Sequence, residues 1–341
     1  MPTAGGPAAA GTTSGRSEHR WAEVLASLAG ILSARPGRVL VDGPAEQARQ
    51  FAARLTSDLA ARGRPAGVTT DTGRGGDVAI FLRTAGAHRP GPSGPGGAAG
   101  QQRAAAARRE REQRADIVID LHDVSWPVIR RVAPPLAARE AWYLTETRAF
   151  FACRAATWDS KFGDDMPAYC AAVAEAGISR GGVVVDVGCG TGRALPPLRA
   201  AVGPAGAVIA VDVTPEMLHA AGPAATVAGA ARVVADARVL PLADASADAV
   251  FAAGLVNHLP DTVAGLRELA RVTRPGGLLV LFHPTGRAAL AARHGHSVSH
   301  DEPLAEGPLR RSTAASCWQL TAYDDAPDRF FAVAERGPAA G

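Results

Sequence analysis

At 341 residues the chain is long for one core and suits two domains, and its 47% hydrophobic and 20% charged content fit a folded globular protein. The net charge of +3 rests almost wholly on arginine, since Lys161 is the single lysine. That argues against a nucleic-acid partner, whose surface needs positive charge gathered in one stripe. Only "RAAAARREREQR", Arg103 to Arg114, approaches a stripe, and with Glu110 and Arg114 at i,i+4 it reads as a solvated helix. Cys153, Cys170, Cys189 and Cys317 are scattered without metal-ligand spacing, so neither a disulfide framework nor a metal site is expected. No secretory signal opens the chain and no apolar run reaches the ~18 residues of a bilayer span, so the expectation is a cytoplasmic protein.

In chain order, residues 1–16 are small and polar and are expected to form a disordered tail. A first domain over 17–135 opens with a helical spacing of Trp21, Val24, Leu25, Leu28 and Leu32, ended by Pro36-Gly37. "RVLVDGP" then reads as strand and turn, Phe51, Leu55 and Leu59 as a helix face, and "DVAIFLR" as a strand. "HRPGPSGPGGAAGQQ" reads as a loop, the arginine-rich helix follows, "ADIVIDL" is a strand, and Pro134-Pro135 closes the domain. The second domain, 136–341, begins with helical stretches to about Gly177. Strands are then predicted at "GVVVDVG", "AVIAVDV", "ARVVADA", "ADAVFAAG", "GLLVLFHP", "WQLTAYDD" and "RFFAVAER". Helices separate the first five, as parallel crossovers require, while the short turn at Pro327 makes the last two an antiparallel hairpin.

Two glycine turns follow strands. "VLVDGPAEQARQFAARL", with the later "ADIVIDLHDVSWPVI", resembles uridine-kinase-like P-loop proteins, in which a strand runs into GxxxxGK[ST] and a helix. Gly43 stands at the first glycine, but Ala48, Arg49 and Gln50 replace the second glycine, the lysine and the Ser/Thr. Those residues would close amides on phosphate, reach its β and γ groups and ligate magnesium, so the resemblance implies a degenerate P-loop domain without ATP chemistry. It would serve as a scaffold for packing or for a homodimer, or as a regulatory anion site.

The second turn, "VVVDVGCGTGR", places Gly188, Gly190 and Gly192 at a strand end. A dinucleotide fingerprint would put its third glycine at 193, where this chain has arginine, so the spacing argues against NAD. The segment resembles motif I of class I S-adenosylmethionine (SAM) methyltransferases, with Asp186 in the acidic position. "AVDVTPEML" with Asp212, "ADARVLPLADASADAVF" with Asp236, and "LRELARVTRPGGLLVLFHP" extend the likeness from about Trp158 to Arg336. It implies an α/β, Rossmann-like sheet of seven strands ending in an antiparallel hairpin, SAM as cofactor, and a small-molecule acceptor of the quinone-methyltransferase type. The cofactor site it implies comprises Asp186, Gly188, Cys189, Gly190, Gly192, Asp212, Val213, Met217, Asp236, Ala237 and Gly254. Asp212 would accept ribose hydroxyls and Asp236 would face the adenine amine, while Cys189 is read as a small packing residue.

Methyl transfer from a sulfonium depends mostly on positioning, and a histidine base helps where the acceptor carries a proton. His258 and His283 follow the fourth and fifth strands of this region, on the carboxyl edge where ligands of open α/β sheets bind, and each reads equally as a packing or capping group. His294, His296 and His300 read as a solvated loop. Tyr143, Phe150, Phe151, Trp158 and Phe162 form either a lid over the cofactor and acceptor or a plain amphipathic helix. Two other functions stay open: a nucleotide kinase or NTPase through the first domain, and a non-catalytic SAM-binding scaffold.

Overall fold

A computed structural model describes residues 10–33, 37–64, 66–71, 73, 76–84, 97–133, 136, 141–161, 164–293 and 297–338. It divides into two compact units, Met1–Trp142 and Tyr143–Gly341. The boundary lies beyond the expected 135/136 because Leu136 is buried in the core of the first unit. Among the described residues no helix is long and apolar enough to cross a membrane.

Unit 1 opens with α1 (Ala10–Leu32), so residues 10–16 of the expected disordered tail are helical; residues 1–9 lie outside the described chain. The helix is anchored further along, and adding residues to a formed helix costs much less than nucleating one. The Trp21 indole N–H donates to the Val124 carbonyl at 3.1 Å, and the buried Arg20 donates to the Pro127 carbonyl at 2.9 Å. β1 (Val39–Asp42), α2 (Ala45–Ala61), β2 (Val68–Thr69), β3 (Val78–Thr84), α3 (Gly97–Arg114), β4 (Ile117–Leu121) and β5 (Val128–Val132) follow. The sheet runs β2-β1-β3-β4-β5, parallel except for β5, which is antiparallel to β4.

Sequence reading misses β2, too short to show a period, and β5, whose "VIRRV" carries two arginines. Val41, Ile80, Leu82 and Ile119 join α1 and α2 in the main core, while Phe81 and Val118 turn to the other face. The expected loop at 88–102 is helical from Gly97; residues 88–96 and Pro134-Pro135 lie outside the described chain.

Gly43 and Pro44 alone separate β1 from α2. The stretch that would be a phosphate cradle is therefore already helix: the Ala48 amide donates to the Pro44 carbonyl at 2.9 Å, and Ala48 is buried. Arg49 and Gln50 both turn back to Glu46, each at 2.6 Å.

Unit 2 contains α4 (Ala141–Ala152, from Tyr143 onward), α5 (Met166–Glu175), β6 (Val183–Val187), α6 (Leu195–Val202), β7 (Ala207–Asp212), α7 (Pro215–Ala220), α8 (Gly222–Ala228) and β8 (Ala231–Val234). Then come β9 (Ala247–Ala253), α9 (Thr262–Val272), β10 (Thr273–His283), α10 (Arg287–Arg293), α11 (Glu306–Ala314), β11 (Trp318–Ala326) and β12 (Arg329–Arg336). All seven expected strands form one sheet, in the order β11-β12-β10-β9-β6-β7-β8. The last two pair antiparallel, and β12 inserts antiparallel against β10.

One sheet face, with Val184, Phe251, Val280 and Phe282, packs on α5 and α6; the other, with Val185, Val250, Leu279 and Leu281, packs toward α9 and α11. Asp261 caps α9 by accepting the Ala264 amide at 2.9 Å. Strand order reverses at β6, which lies between β9 and β7, and this opens a crevice at the carboxyl ends of these strands.

Candidate functional site

The turn after β6 lies at that crevice. Gly188, Gly190 and Gly192 all have positive φ, at 74°, 54° and 85°. Gly190 and Gly192 are needed for different reasons. A Cβ on Gly192 would sit 2.9 Å from Leu195 Cδ1 and 3.2 Å from Ala221 Cβ, so this glycine lets helices pack against the turn. A Cβ on Gly190 would meet nothing within 4 Å, so that peptide faces open space.

Asp212 ties the turn to the next strand: it accepts the Gly190 amide at 2.9 Å and the Thr214 amide at 2.8 Å. Its burial raises its carboxyl pKa despite those hydrogen bonds. Asp186, 1% exposed, is pushed up to about 8 by burial and then by the charge of Asp212. Its Oδ2 is buried without a hydrogen-bond partner, an open demand for a donor or cation. The Cys189 thiol is buried and its pKa raised by desolvation, which makes it an inert packing group.

Other expected site residues are placed less simply. Met217 and Ala237 are buried in α7 and after β8. Val213 offers its carbonyl to Arg148 of α4, at 2.8 Å. Asp236 is gripped by Arg238 through its backbone amide (2.9 Å), Nε (3.1 Å to each oxygen) and Nη2 (2.8 Å). Burial raises its carboxyl pKa, but these bonds outweigh it and leave the pKa lowered. Asp236 thus holds Arg238, whose guanidinium lies 5.6 Å from the Tyr143 ring centre.

His258 stands in a 3-10 turn after β9, half-buried, with its ring 5.1 Å from Phe151 in an edge-on contact. Phe151 in turn meets Trp158 at 5.4 Å. His283 ends β10 and its Nδ1 is engaged by Thr285, 2.8 Å from the carbonyl and 3.1 Å from the amide. Its Cδ2 lies 3.9 Å from where a Cβ on Gly254 would be, an ordinary contact distance, so the φ of 71° and not the ring is what favours glycine at Gly254. His300 is exposed, while Phe162, His294 and His296 lie outside the described residues. Among the described residues no cluster suits a metal ion.

α4 is not a plain amphipathic helix. Tyr143, Phe150 and Phe151 are only half-buried, whereas Glu146 is fully buried. Its side chains reach the crevice at separate strand ends: Tyr143 to Arg238, Arg148 to Val213, and Phe151 to His258. Beyond it, Asp159 Oδ1 accepts the Thr191 hydroxyl at 2.6 Å and Arg193 Nε at 3.1 Å, and Arg193 also pairs with Asp165. Tyr169 of α5 lies edge-on to Phe282 at 5.0 Å, and its hydroxyl pKa is raised by burial, then by the charges of Asp186 and Asp159. Asp159, Arg148 and Tyr169 carry no motif. The groups they meet lie tens of residues or more away in sequence, so no local pattern marks them.

A methyltransferase-domain family model matches residues 185–281, from β6 to the end of β10. An uncharacterized methyltransferase of Mycobacterium leprae is 34% identical over 142 residues, covering 36% of this chain and 51% of that protein. A demethylmenaquinone methyltransferase of Staphylococcus aureus is 36% identical over 105 residues, covering 30% of this chain and 44% of its own length. Residues 185–281 of unit 2 are thus similar to methyltransferase domains. The chain spans about half the length of these curated relatives. Among solved structures, a SAM-dependent methyltransferase from Aquifex aeolicus is similar at 24% identity and a TM-score of 0.42, over 48% of this chain and 87% of that one.

Proposed function

We propose that unit 2 transfers a methyl group from SAM to a small-molecule acceptor. The observation that carries this reading is the buried, unpartnered Oδ2 of Asp186 beside the open peptide of Gly190. A carboxylate buried without a partner is costly, and a cationic ligand group at that point offsets the cost. SAM supplies an ammonium and a sulfonium whose methyl is the transferable group. Asp186 and the 188–192 turn would hold its amino-acid end, Asp212 its ribose, and the Tyr143, Asp236 and Arg238 group its adenine edge.

The aromatic contacts among Phe151, Trp158 and His258 line the side nearer β9, favouring an acceptor with apolar or aromatic surface. The demethylmenaquinone methyltransferase among the relatives agrees with that class. His258 would take the acceptor's proton; His283, with Nδ1 held by Thr285, would orient the acceptor through Nε2. α4 and the residues up to Asp159 would form an arm over the crevice and exclude water from the reacting atoms.

Unit 1 we read as a degenerate P-loop scaffold whose turn has lost its cradle. Incubating the protein with isotope-labelled SAM and a metabolite extract should yield one labelled methyl increment by mass spectrometry, absent for Asp212→Ala. Labelling undiminished in that variant overturns the assignment, and binding without any labelled product favours a SAM-binding scaffold instead.

A further inference from the structure

The arm formed by α4 and the residues up to Asp159 meets the glycine turn through one carboxylate. Asp159 Oδ1 bridges Thr191 Oγ1 at 2.6 Å and Arg193 Nε at 3.1 Å, and its carbonyl accepts from Arg193 Nη2 at 3.2 Å. The partners differ in exposure: the Asp159 side chain is 57% exposed, that of Arg193 only 13%. One end of this contact is therefore built into the turn, and the other reaches it from the solvent rim, where water competes for it.

Arg193 has a second carboxylate partner in Asp165, whose side chain is 12% exposed. Breaking the Asp159 contact leaves the guanidinium paired, so the turn keeps its own support while the arm loses its tie. Two other ties of the arm, Arg148 to the Val213 carbonyl at 2.8 Å and Tyr143 to Arg238, lie beyond the ends of β7 and β8. Asp159 fastens it to the turn that contains Gly190 and follows Asp186.

We propose that Asp159 is a positioning residue that latches the arm to Thr191 and Arg193 and thereby sets the rate at which spent cofactor leaves. The inference rests on the reading that the crevice binds SAM. A bound ligand between arm and turn leaves only after the latch opens, so the latch acts on dissociation more than on association. Arg193, standing where a dinucleotide fingerprint has glycine, then serves the arm by presenting a donor to it.

The test is the dissociation rate of S-adenosylhomocysteine, followed by stopped-flow displacement with excess SAM. Asp159→Ala should raise it about two- to fivefold, the scale of a half-exposed charged contact. Asp159→Asn, which keeps the acceptor for Thr191 but not the charge facing Arg193, should fall between. Thr191→Val should act in the same direction, and the Asp159→Ala/Thr191→Val double variant should be little faster than Asp159→Ala, because both remove one contact. The melting temperature of the ligand-free protein should stay at the wild-type value in Asp159→Ala. Wild-type rates in Asp159→Ala, additive effects in the double variant, or a melting temperature that falls in step with the rate each overturn the latch. Failure of the wild-type protein to bind S-adenosylhomocysteine at all sinks the cofactor reading instead.

Discussion

Both units run a buried strand into a glycine and then a helix, yet the two junctions differ in what they leave open. At Gly43 the helix starts two residues after the strand, Ala48 sits in the core, and Arg49 and Gln50 are taken up by Glu46. After β6 the helix starts only at Leu195, and the intervening turn takes three positive-φ glycines and faces an unpartnered buried carboxylate oxygen. A glycine following a strand is thus weak evidence for a site. A turn whose polar groups are not satisfied by its own residues is stronger evidence.

The contrast can be broken from its strongest side first. His258→Ala should lower methyl transfer about a hundred- to ten-thousandfold while SAM affinity by calorimetry stays unchanged. Equal loss in both would make His258 a packing group for Phe151. Gly192→Ala, which puts a Cβ against Leu195 and Ala221 at positive φ, should cost about 2–4 kcal/mol in urea unfolding. Gly43→Ala would bring a Cβ to 2.9 Å from Leu82 Cβ but without a positive φ, and should cost less, so a reversed order would contradict the conformations described for the two turns.

Asp186→Asn should weaken SAM binding by roughly a hundredfold, since it removes the counter-charge for the ligand cation. It should also change the pH dependence of the ligand-free protein. The folded-state value of about 8 lies above that of an unfolded aspartate, so the folded protein holds a proton the unfolded chain has released. Wild-type stability contributed by this group is therefore present at acid pH and lost as pH rises toward 8, and the variant should flatten that slope in a series of thermal melts. By the same linkage SAM binding should release a proton below pH 8 and tighten by up to about tenfold per pH unit there. Calorimetry in buffers of different ionisation enthalpy measures that proton directly. Smallest of all, Arg49→Ala should leave melting temperature and methyl transfer unchanged, because Arg49 and Glu46 form an exposed pair. ATP-dependent stabilisation lost in this variant would revive a nucleotide site in unit 1.

Much of unit 2 was legible because its strands are long apolar runs separated by helices, a local pattern that survives without knowledge of partners. Asp186, Asp212 and the three glycines could be read because each is a special residue at a strand end. The start of α1 and the strands β2 and β5 could not be read, since they depend on groups far along the chain: Ser17, Arg20 and Trp21 are held by residues 124–127, and β2 exists only as the edge partner of β1. For Asp236 the place after β8 was legible but its grip by Arg238 was not.

By itself the sequence determined the strand count of the second sheet, the hairpin at its end, the glycine turn after β6 and the replacement of three P-loop positions by Ala48, Arg49 and Gln50. All of these follow from residue type and spacing along a few consecutive positions. Only the tertiary structure decided that β12 enters between β10 and β11, that the stretch after Gly43 is helix, and that Asp159 reaches the glycine turn while α4 reaches Val213, Arg238 and His258. Such contacts join residues tens of positions apart, and their energies depend on burial and on which partners are left unsatisfied, which exist only once the chain has folded.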